Sequence, residues 1–523
     1  MHRVASPLGP SAGPHTAMAQ NIVLGWLAGA RVFELKTVQI LDTLQLPRPC
    51  IDARSAGYNV EWSQELKIEQ SLEEYVKASM LIEMLAASGE IELQPGFDRA
   101  LFDISVGYDL AGIRSERIGA FLAGMLDARG VIDRLRADLP PRWRDFDFRT
   151  RIADTVTLST FHGCPADEIE QIAGYLLSEL GVDCTLKLNP TLLGFREVIE
   201  ILHDRLGFHD IKVPPGVFEN EPSWSRTVAI AGRLRDRARE LGRSFGVKLT
   251  NTLVVENPSD FLPRSETFAY LSGSPLHVLA MHLVRRFRRA FGNSIPLSFS
   301  AGIDRTNYPD AVALGLAPVT VCTDLLKQGG YGRLHSYAKA LYERMESIGA
   351  ASISEFIRRG RPVTVAEATL LNTDEYVEAL DRDARYRREH VAPRRHTRVE
   401  HLELLDCSTC DLCIPACPND AIFRLPSLGI GKKSHQIACF AELCNDCGNC
   451  EVFCPDHGAP NALKFRLFLR EEAFARDAPR DAFLVRRGHT IARGNACAAL
   501  AGYVERAVFD SSRVNYFNCG EAE

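Results

Sequence analysis

The 523-residue sequence lacks several features that would assign it to a class at once. Its longest apolar stretch near the N-terminus, residues 22–32, is broken by glycines and is far shorter than the roughly 20 residues of a membrane-spanning helix. The net charge of −6 offers no basic excess for nucleic acid. No repeat of solenoid period is present. The sequence therefore predicts a globular protein that binds neither membrane nor nucleic acid.

The sequence also lacks a glycine-rich dinucleotide motif. Rossmann binding of NAD or FAD needs GxGxxG between a strand and a helix. The nearest match is Gly429-Ile430-Gly431-Lys432, which lies inside a cysteine-rich segment. We therefore expect any nicotinamide site to lie on a partner chain.

Cysteine, in contrast, is abundant and ordered. Eight of the fifteen cysteines form two runs of one spacing, Cys407-x2-Cys410-x2-Cys413-x3-Cys417-Pro418 and Cys444-x2-Cys447-x2-Cys450-x3-Cys454-Pro455. This is the spacing of bacterial ferredoxins with two [4Fe-4S] clusters, in which the fourth cysteine of each run ligates the other cluster. Cysteines spaced for ligands rather than disulfides also predict a reducing, cytoplasmic environment.

The crossed pattern predicts two ligand sets. One cluster uses Cys407, Cys410, Cys413 and Cys454, and the other uses Cys444, Cys447, Cys450 and Cys417. Two zinc sites are the alternative, although zinc sites usually pair two CxxC groups. Fully ligated clusters carry electrons but have no open position for a substrate, so the chemistry must take place elsewhere in the chain.

The first 350 residues alternate short β-rich runs with helical patterns, which predicts parallel βα units. The predicted strands cover residues 8–13, 32–38, 101–107, 156–163, 185–190, 247–253, 297–302 and 319–326. Amphipathic helices are predicted at 72–87, 167–180 and 278–291. Eight such strands predict an α/β fold of the TIM (β/α)8 type.

The rest of the chain divides by composition. We predict a barrel over residues 1–350, a charged helical connector over 351–405, a ferredoxin-like two-cluster domain over 406–460 and a C-terminal extension over 461–523. The run at 381–401 is crowded with charges and is typical of a solvated helix or connector. The extension has a modest helical pattern at 496–508.

A barrel that receives single electrons and delivers pairs needs a cofactor able to do both, and flavin is the usual one. Several motifs resemble, in barrel order, the flavin barrels of the dihydroorotate and dihydropyrimidine dehydrogenases. These motifs are Ser11-Ala12-Gly13-Pro14, Phe33-Glu34-Leu35-Lys36-Thr37-Val38, Cys164-Pro165, Lys187-Leu188-Asn189-Pro190, Thr250-Asn251-Thr252, Ala301-Gly302-Ile303-Asp304 and Val321-Cys322-Thr323-Asp324. In those families the barrel binds FMN, and dihydropyrimidine dehydrogenase adds two C-terminal [4Fe-4S] clusters.

A closer resemblance is to a family named for selenate reductase subunits and encoded in bacterial purine-degradation gene clusters. It is carried by Ala12-Gly13-Pro14-His15, Glu34-Leu35-Lys36-Thr37-Val38-Gln39, Glu61-Trp62-Ser63-Gln64-Glu65-Leu66, Phe161-His162-Gly163-Cys164-Pro165 and Lys187-Leu188-Asn189-Pro190-Thr191-Leu192-Leu193-Gly194. Longer members of that family continue into a module for FAD and nicotinamide. The resemblance implies a partner that supplies these functions.

The resemblance also implies roles for single residues. The residues implied to bind FMN are Ala12, Gly13, Lys36, Thr37, Lys187, Thr250, Asn251, Gly302, Thr323 and Asp324. Lys36 and Lys187 would stabilise the reduced flavin, and the loops after Gly302 and Thr323 would hold its phosphate.

The implied catalytic residues are Cys164, His162 and Lys187. Cys164 would act as the acid/base, with His162 or Asp167 tuning the thiol or replacing it as proton donor. An inert buried thiol is the alternative. Asn59, Asn251 and Thr252 match substrate-contacting positions of the pyrimidine enzymes.

One difference from the pyrimidine enzymes limits the class of substrate that we expect. The pyrimidine enzymes have asparagine three residues before the catalytic cysteine, where this chain has Phe161. The missing amide disfavours uracil and thymine and leaves another small nitrogen heterocycle, such as an oxidised purine.

Three functions are compatible with these features. The first is an FMN- and iron–sulfur-dependent oxidoreductase subunit. It exchanges electrons between a partner that binds FAD and NAD(P)H and a substrate of the cyclic amide, purine or pyrimidine type. Such a subunit is compatible with a homo-oligomer. The second is a non-catalytic iron–sulfur subunit of a selenate reductase or molybdenum enzyme. The third, an amidotransferase of the glutamate-synthase type, has little support because no glutaminase segment is present.

Overall fold

The structure is a computed structural model that describes residues 4–41, 46–60, 65–159, 165–219, 221–391, 405, 407–431, 433–510 and 517. Its strands are β1 (Leu8–Pro10), β2 (Val32–Glu34), β3 (Ile51–Asp52), β4 (Tyr58–Asn59), β5 (Leu101–Val106), β6 (Ala153–Ser159), β7 (Asp183–Leu188), β8 (Phe245–Leu249), β9 (Leu253–Glu256), β10 (Phe268–Leu271), β11 (Leu297–Phe299), β12 (Val319–Val321), β13 (Ile422–Pro426), β14 (His435–Phe440), β15 (Phe465–Phe468), β16 (Ala482–Arg486) and β17 (His489–Arg493).

The α-helices of the described residues form an outer layer around the barrel and cap the second sheet. They are α1 (Ala19–Leu27), α2 (Ile68–Ala87), α3 (Leu110–Ile113), α4 (Glu116–Leu126), α5 (Arg129–Arg136), α6 (Ala166–Ser178), α7 (Phe195–Ile199), α8 (Trp224–Glu240), α9 (Ser274–Phe291), α10 (Tyr308–Ala313), α11 (Arg333–Ser347), α12 (Ile353–Arg358), α13 (Val365–Leu380), α14 (Cys413–Ala416), α15 (Asn449–Val452), α16 (Pro460–Leu463), α17 (Glu471–Arg476) and α18 (Asn495–Val508). None of these described helices is both long enough and apolar enough to cross a lipid bilayer.

Eight parallel strands form a nearly closed barrel, which confirms the predicted TIM-barrel fold. Their order around the barrel is β1-β12-β11-β8-β7-β6-β5-β2. At the seam between β1 and β2, the Arg31 N–H donates to the Leu8 carbonyl at 2.9 Å. A Cβ on Gly9 would lie 1.5 Å from the Val32 carbonyl oxygen, so only glycine allows the two strands to approach so closely.

All eight predicted strands are present, and the seven whose following residues are described end earlier than the sequence predicts; residues 160–163 of the predicted strand 156–163 lie outside the described residues. For example, β1 ends at Pro10 and β12 at Val321, where the predicted strands end at residues 13 and 326. Some residues just after these strands keep single backbone hydrogen bonds to the neighbouring strand, such as Ser11 N–H to the Val321 carbonyl, before the chain enters the loops at the carboxyl ends of the strands. The predicted helices 72–87, 167–180 and 278–291 correspond to α2, α6 and α9.

A small antiparallel sheet, not predicted from the sequence, lies over the barrel. Its order is β3-β4-β10-β9, with Ile51 paired to Asn59 and Tyr270 also paired to Asn59. Two of these strands have only two residues each, which is too short to produce an alternating pattern in the sequence.

The second large sheet has five strands in the order β13-β14-β15-β16-β17. The residues predicted as a C-terminal extension contribute three of these strands and α18, which corresponds to the helical pattern at 496–508. Phe465 and Phe483 of this sheet are buried with Tyr503 of α18 in one hydrophobic cluster. The cysteine runs lie in the loops and short helices around β13 and β14.

The segment predicted as a charged connector packs onto the barrel where it is described. Asn372 on α13 is fully buried and donates to the carbonyl oxygens of Ala313 and Ile357, both at 2.8 Å. The run at 381–401 continues as two short 3-10 turns, Ala384–Tyr386 and Arg388–His390, and its residues after 391 lie outside the described residues.

Candidate active site and cysteine cavities

A cavity of about 580 Å³ opens at the carboxyl ends of the barrel strands. Eleven of the residues predicted to bind cofactor or substrate line it, namely Ala12, Gly13, Lys36, Thr37, Asn59, Lys187, Thr250, Asn251, Thr252, Gly302 and Thr323. These residues follow different strands but meet at one end, because parallel barrel strands all point the same way.

Three residues predicted for the site need separate description. Cys164 and His162 lie outside the described residues, so their roles stay predictions; β6 ends at Ser159, which lines the cavity. Asp324 does not line the cavity. Its carboxylate is buried and accepts hydrogen bonds from the Tyr337 hydroxyl and from Arg333 at 2.8 Å and 2.9 Å, so it stabilises the loop from behind.

Asp167, the alternative proton donor, is on the outside of the barrel. Its exposed carboxylate forms an ion pair with Arg226 at 2.5 Å. It is not among the residues that line the cavity.

The floor of the cavity is strongly basic. Burial lowers the pKa of Lys36 to about 8 and that of Lys187 to about 8, and it lowers the pKa of Lys248 well below its usual value. Lys248 forms a buried ion pair with Glu34 and donates to the Thr320 hydroxyl at 3.1 Å. Lys248 is thus paired with Glu34, and Lys36 and Lys187 present buried positive charge to the cavity, an arrangement suited to an anionic ligand.

Sequence reasoning missed part of this floor. Cys322 lies between the lysines; burial raises the pKa of its thiol, and the charges of Lys36 and Lys187 oppose that rise. Glu34 and Lys248 are also buried and were given no role. The available signal was a charged residue inside an apolar barrel strand, which is rare unless the charge is paired.

Polar side chains at one wall are held by a chain of amides. The Asn251 amide donates to the Asn189 side-chain oxygen at 2.8 Å, and the Asn189 amide donates to Glu221 at 2.8 Å. Thr250 donates to the Leu188 carbonyl at 2.8 Å. These bonds fix the orientation of the Asn251 amide at the cavity wall.

Three glycines form a tight backbone cradle at another part of the cavity wall. A Cβ on Gly273 would lie 1.8 Å from the Ala56 carbonyl oxygen, and one on Gly302 would lie 2.2 Å from the Gly273 carbonyl oxygen. A Cβ on Gly57 would lie 2.7 Å from Thr323 Cγ2. The 18-residue helix α9 begins at this cradle with no side chain capping its first N–H groups.

The eight motif cysteines surround two smaller cavities in the crossed pattern predicted from the sequence. The outer cysteine cavity is lined by Cys407, Cys410, Cys413 and Cys454. The inner cysteine cavity is lined by Cys417, Cys444, Cys447 and Cys450. Within the described part of the chain, no three His, Cys, Asp or Glu side chains are grouped as ligands of a single metal ion.

The inner cysteine cavity adjoins the barrel. The Cys447 carbonyl accepts hydrogen bonds from the N–H groups of Cys50 and Ile51, both at 3.1 Å, and Ile51 lines the large cavity. The Asn449 amide donates to the carbonyl of Leu326, another lining residue, at 2.7 Å. The outer cysteine cavity is more open, because Cys410 is exposed.

This fold and site define the chain as a TIM-barrel protein with its cavity at the carboxyl ends of the strands. The family model described as oxidoreductase YgfK, N-terminal TIM-barrel domain, matches residues 1–371. The chain therefore belongs to this family.

The chain is also similar to individual proteins. The chain is 37% identical over 443 residues to YgfK of Escherichia coli strain K12, a candidate oxidoreductase, and covers 40% of its length. A segment of 113 residues is 35% identical to the quinone-type dihydroorotate dehydrogenase of Erythrobacter litoralis, spanning 20% of this chain and 32% of that protein. A crystal structure of ligand-free DHODH from Eimeria tenella superposes with a TM-score of 0.44 at 15% identity, covering 68% of this chain and 89% of that one.

Proposed function

We propose that the chain is the FMN- and iron–sulfur-containing part of an oxidoreductase. It passes electrons between a partner that binds FAD and NAD(P)H and a small nitrogen heterocycle of the cyclic amide, purine or pyrimidine type. The observation that carries the proposal is the position of the inner cysteine cavity, which adjoins the barrel cavity through hydrogen bonds at Cys447 and Asn449.

The barrel cavity fits FMN in charge and shape. Lys36 and Lys187 supply buried positive charge for the flavin ring, and the glycine cradle beside α9 allows backbone N–H groups to approach a phosphate. Bound FMN supplies the conversion between single electrons and a two-electron hydride. The amide of Asn251, fixed by Asn189, would orient the ring or the substrate above it.

The two cysteine cavities fit [4Fe-4S] clusters better than zinc ions. Four cysteines line each cavity, the number of thiolates that a [4Fe-4S] cluster binds, and they come from the two runs in the crossed pattern of two-cluster ferredoxins. Burial raises the pKa of the Cys447 and Cys450 thiols, so a positively charged centre is needed to hold them as thiolates. The zinc alternative is not favoured by this arrangement.

The positions of the two cysteine cavities support one order of electron transfer between the partner and the barrel. The outer cysteine cavity, with exposed Cys410, is the side that a partner reaches, and the inner cysteine cavity contacts the barrel. Electrons from the partner would therefore pass through the outer cluster, then the inner cluster, then the barrel cavity. Such a partner suits the absence of a GxGxxG motif from the sequence and the longer relatives in the family.

For the substrate step we propose Cys164 as the group that moves a proton, with His162 as its neighbour. Asn59, Asn251 and Thr252 line the cavity and offer amide and hydroxyl groups to a heterocycle. These groups read ring nitrogens and carbonyl oxygens, which selenate lacks.

Anaerobic reoxidation tests the proposal. Protein reduced by dithionite and freed of excess reductant is mixed with single pyrimidines, purines and selenate, and the flavin absorbance is followed. We expect reoxidation by one class of heterocycle and its loss in Cys164→Ser. Reoxidation by selenate alone, unchanged in Cys164→Ser, would instead support the non-catalytic electron-transfer subunit.

A further inference from the structure

The loop after β11 is held from behind by a chain of buried side chains that the proposed function does not use. His277 on α9 is completely buried, and its Nδ1 lies 2.8 Å from the Ala301 carbonyl oxygen. Asn307, also completely buried, donates to the Gly302 carbonyl at 2.9 Å. Two consecutive carbonyl groups of the cavity wall are therefore bonded to the protein interior.

The fixed carbonyls determine where the next amides point. In a trans peptide the C=O and the following N–H lie in one plane and point in opposite directions. The Gly302 and Ile303 N–H groups thus point away from the interior, and both residues line the cavity. Within the described part of the chain, neither N–H has a protein acceptor. A buried N–H needs a partner, and here a ligand can provide it.

The chain continues into the segment predicted as a connector. The Tyr376 hydroxyl on α13 lies 2.9 Å from His277 Nε2, and it also hydrogen-bonds the Tyr386 hydroxyl. Tyr386 stacks on the His277 ring with centroids 5.2 Å apart and accepts from Asn307 at 3.1 Å. The network is closed, because it begins and ends on neighbouring residues of one loop.

The protonation state of His277 fixes the direction of its two hydrogen bonds. Burial lowers the pKa of its imidazole to about 4, so the ring is neutral at physiological pH. A neutral ring has one N–H, and the Ala301 carbonyl can only accept, so Nδ1 donates. The Tyr376 hydroxyl then donates to Nε2.

We propose that His277, supported by Asn307, Tyr376 and Tyr386, is a positioning residue that aims the Gly302 and Ile303 N–H groups at the phosphate of bound FMN. The inference rests on the proposed flavin function and adds to it the group that orients the loop. A carboxylate or lysine side chain is not required, because two N–H groups and the start of α9 meet at one place.

The test compares FMN with riboflavin, which has the same ring but no phosphate. Flavin-free protein is titrated with each, and quenching of flavin fluorescence gives two dissociation constants. His277→Phe keeps the ring packing but removes both nitrogens. We expect it to weaken FMN binding about tenfold, as for one charge-assisted hydrogen bond, and to leave riboflavin binding unchanged.

Two further variants separate positioning from folding. His277→Asn places an amide N–H near the Nδ1 position and should restore most of the FMN affinity, whereas His277→Gln should not. His282→Phe is the matched control: His282 is buried on the same helix and bonds Asp381 at 3.0 Å, away from the loop, so it should leave the FMN-to-riboflavin ratio unchanged.

The outcomes are distinct. Equal weakening of FMN and riboflavin by His277→Phe, or no weakening of either, overturns the positioning role. If His277→Phe does not fold, Tyr376→Phe serves instead, with a smaller loss confined to FMN as the supporting result and an unchanged ratio as the contrary one. Failure of the wild-type protein to bind either flavin would overturn the proposed flavin function itself.

Discussion

Lys36 and Lys187 are buried cations whose presence in a barrel needs a reason. Removing an ammonium group from water is costly, and burial lowers the pKa of both lysines to about 8. Both lysines line the cavity, so their charges face the space that an anionic or electron-accepting ligand would occupy. The two lysines therefore connect the chemistry of the site to the stability of the fold.

Lys187 should raise the reduction potential of the bound flavin. Replacing it by methionine removes the charge while keeping the length, so the reduced flavin loses a stabilising cation. We expect the two-electron reduction potential to fall by roughly 30 mV or more. A potentiometric titration of Lys187→Met checks this, with Lys212→Met as an exposed control that should leave the potential unchanged. An unchanged potential in Lys187→Met would place the flavin elsewhere.

Lys36 should make the flavin-free protein less stable at neutral pH. Its folded pKa of about 8 is below its unfolded value, so the cost of burying the charge is fully present below pH 8 and disappears as the pH rises towards 10.5. We expect Lys36→Met to be more stable than the wild type by roughly 1–3 kcal/mol at pH 7. Urea unfolding at pH 7 and pH 9.5 measures this difference, and a gap that widens with pH would contradict it.

At the level of single residues, the sequence predicted most of the cavity but only part of its floor. Residues in short motifs, such as Asn251 and Gly302, could be found because their pattern is local. Glu34, Lys248 and Cys322 could not, because their contacts join three different strands. Spatial pairing of this kind leaves no trace in the spacing of one sequence.

At the level of elements, the barrel strands were predictable because short β-rich runs alternate with amphipathic helical patterns, as parallel βα units require. The sheet β3-β4-β10-β9 was not, because strands of two to four residues have no measurable period. The strands β15 to β17 were also missed: β15 and β16 are short buried runs, and β17 has no buried residue and resembles a polar tail. Their pairing to β14 makes them part of the cysteine-bearing sheet.

The two cysteine loops should behave as separate elements. Cys410→Ser removes a ligand from the outer cysteine cavity alone, so iron should fall from about eight to about four atoms per chain. Flavin and the inner cluster should remain, and the flavin should still be reoxidised by substrate. Cys497→Ser, at a buried cysteine on α18, is the control and should retain all the iron. Loss of both clusters in Cys410→Ser would contradict independent sites.

At the level of the whole molecule, the chain contains a barrel cavity, an inner cysteine cavity that adjoins it, and an outer cysteine cavity. Its sequence has no dinucleotide motif. It spans 40% of the length of YgfK from Escherichia coli. We therefore predict that NADH or NADPH alone does not bleach the flavin anaerobically, whereas dithionite does. Stopped-flow absorbance measures both, and rapid bleaching by NADH alone would show that no partner is needed.

The central claim is that one flavin and two clusters share this chain. Its most direct test is the cofactor content of protein purified without oxygen, measured as acid-released flavin and as iron and sulfide per chain. The account predicts one FMN with about eight irons and eight sulfides. Protein that folds but contains no flavin, or that contains zinc in place of iron, would contradict it.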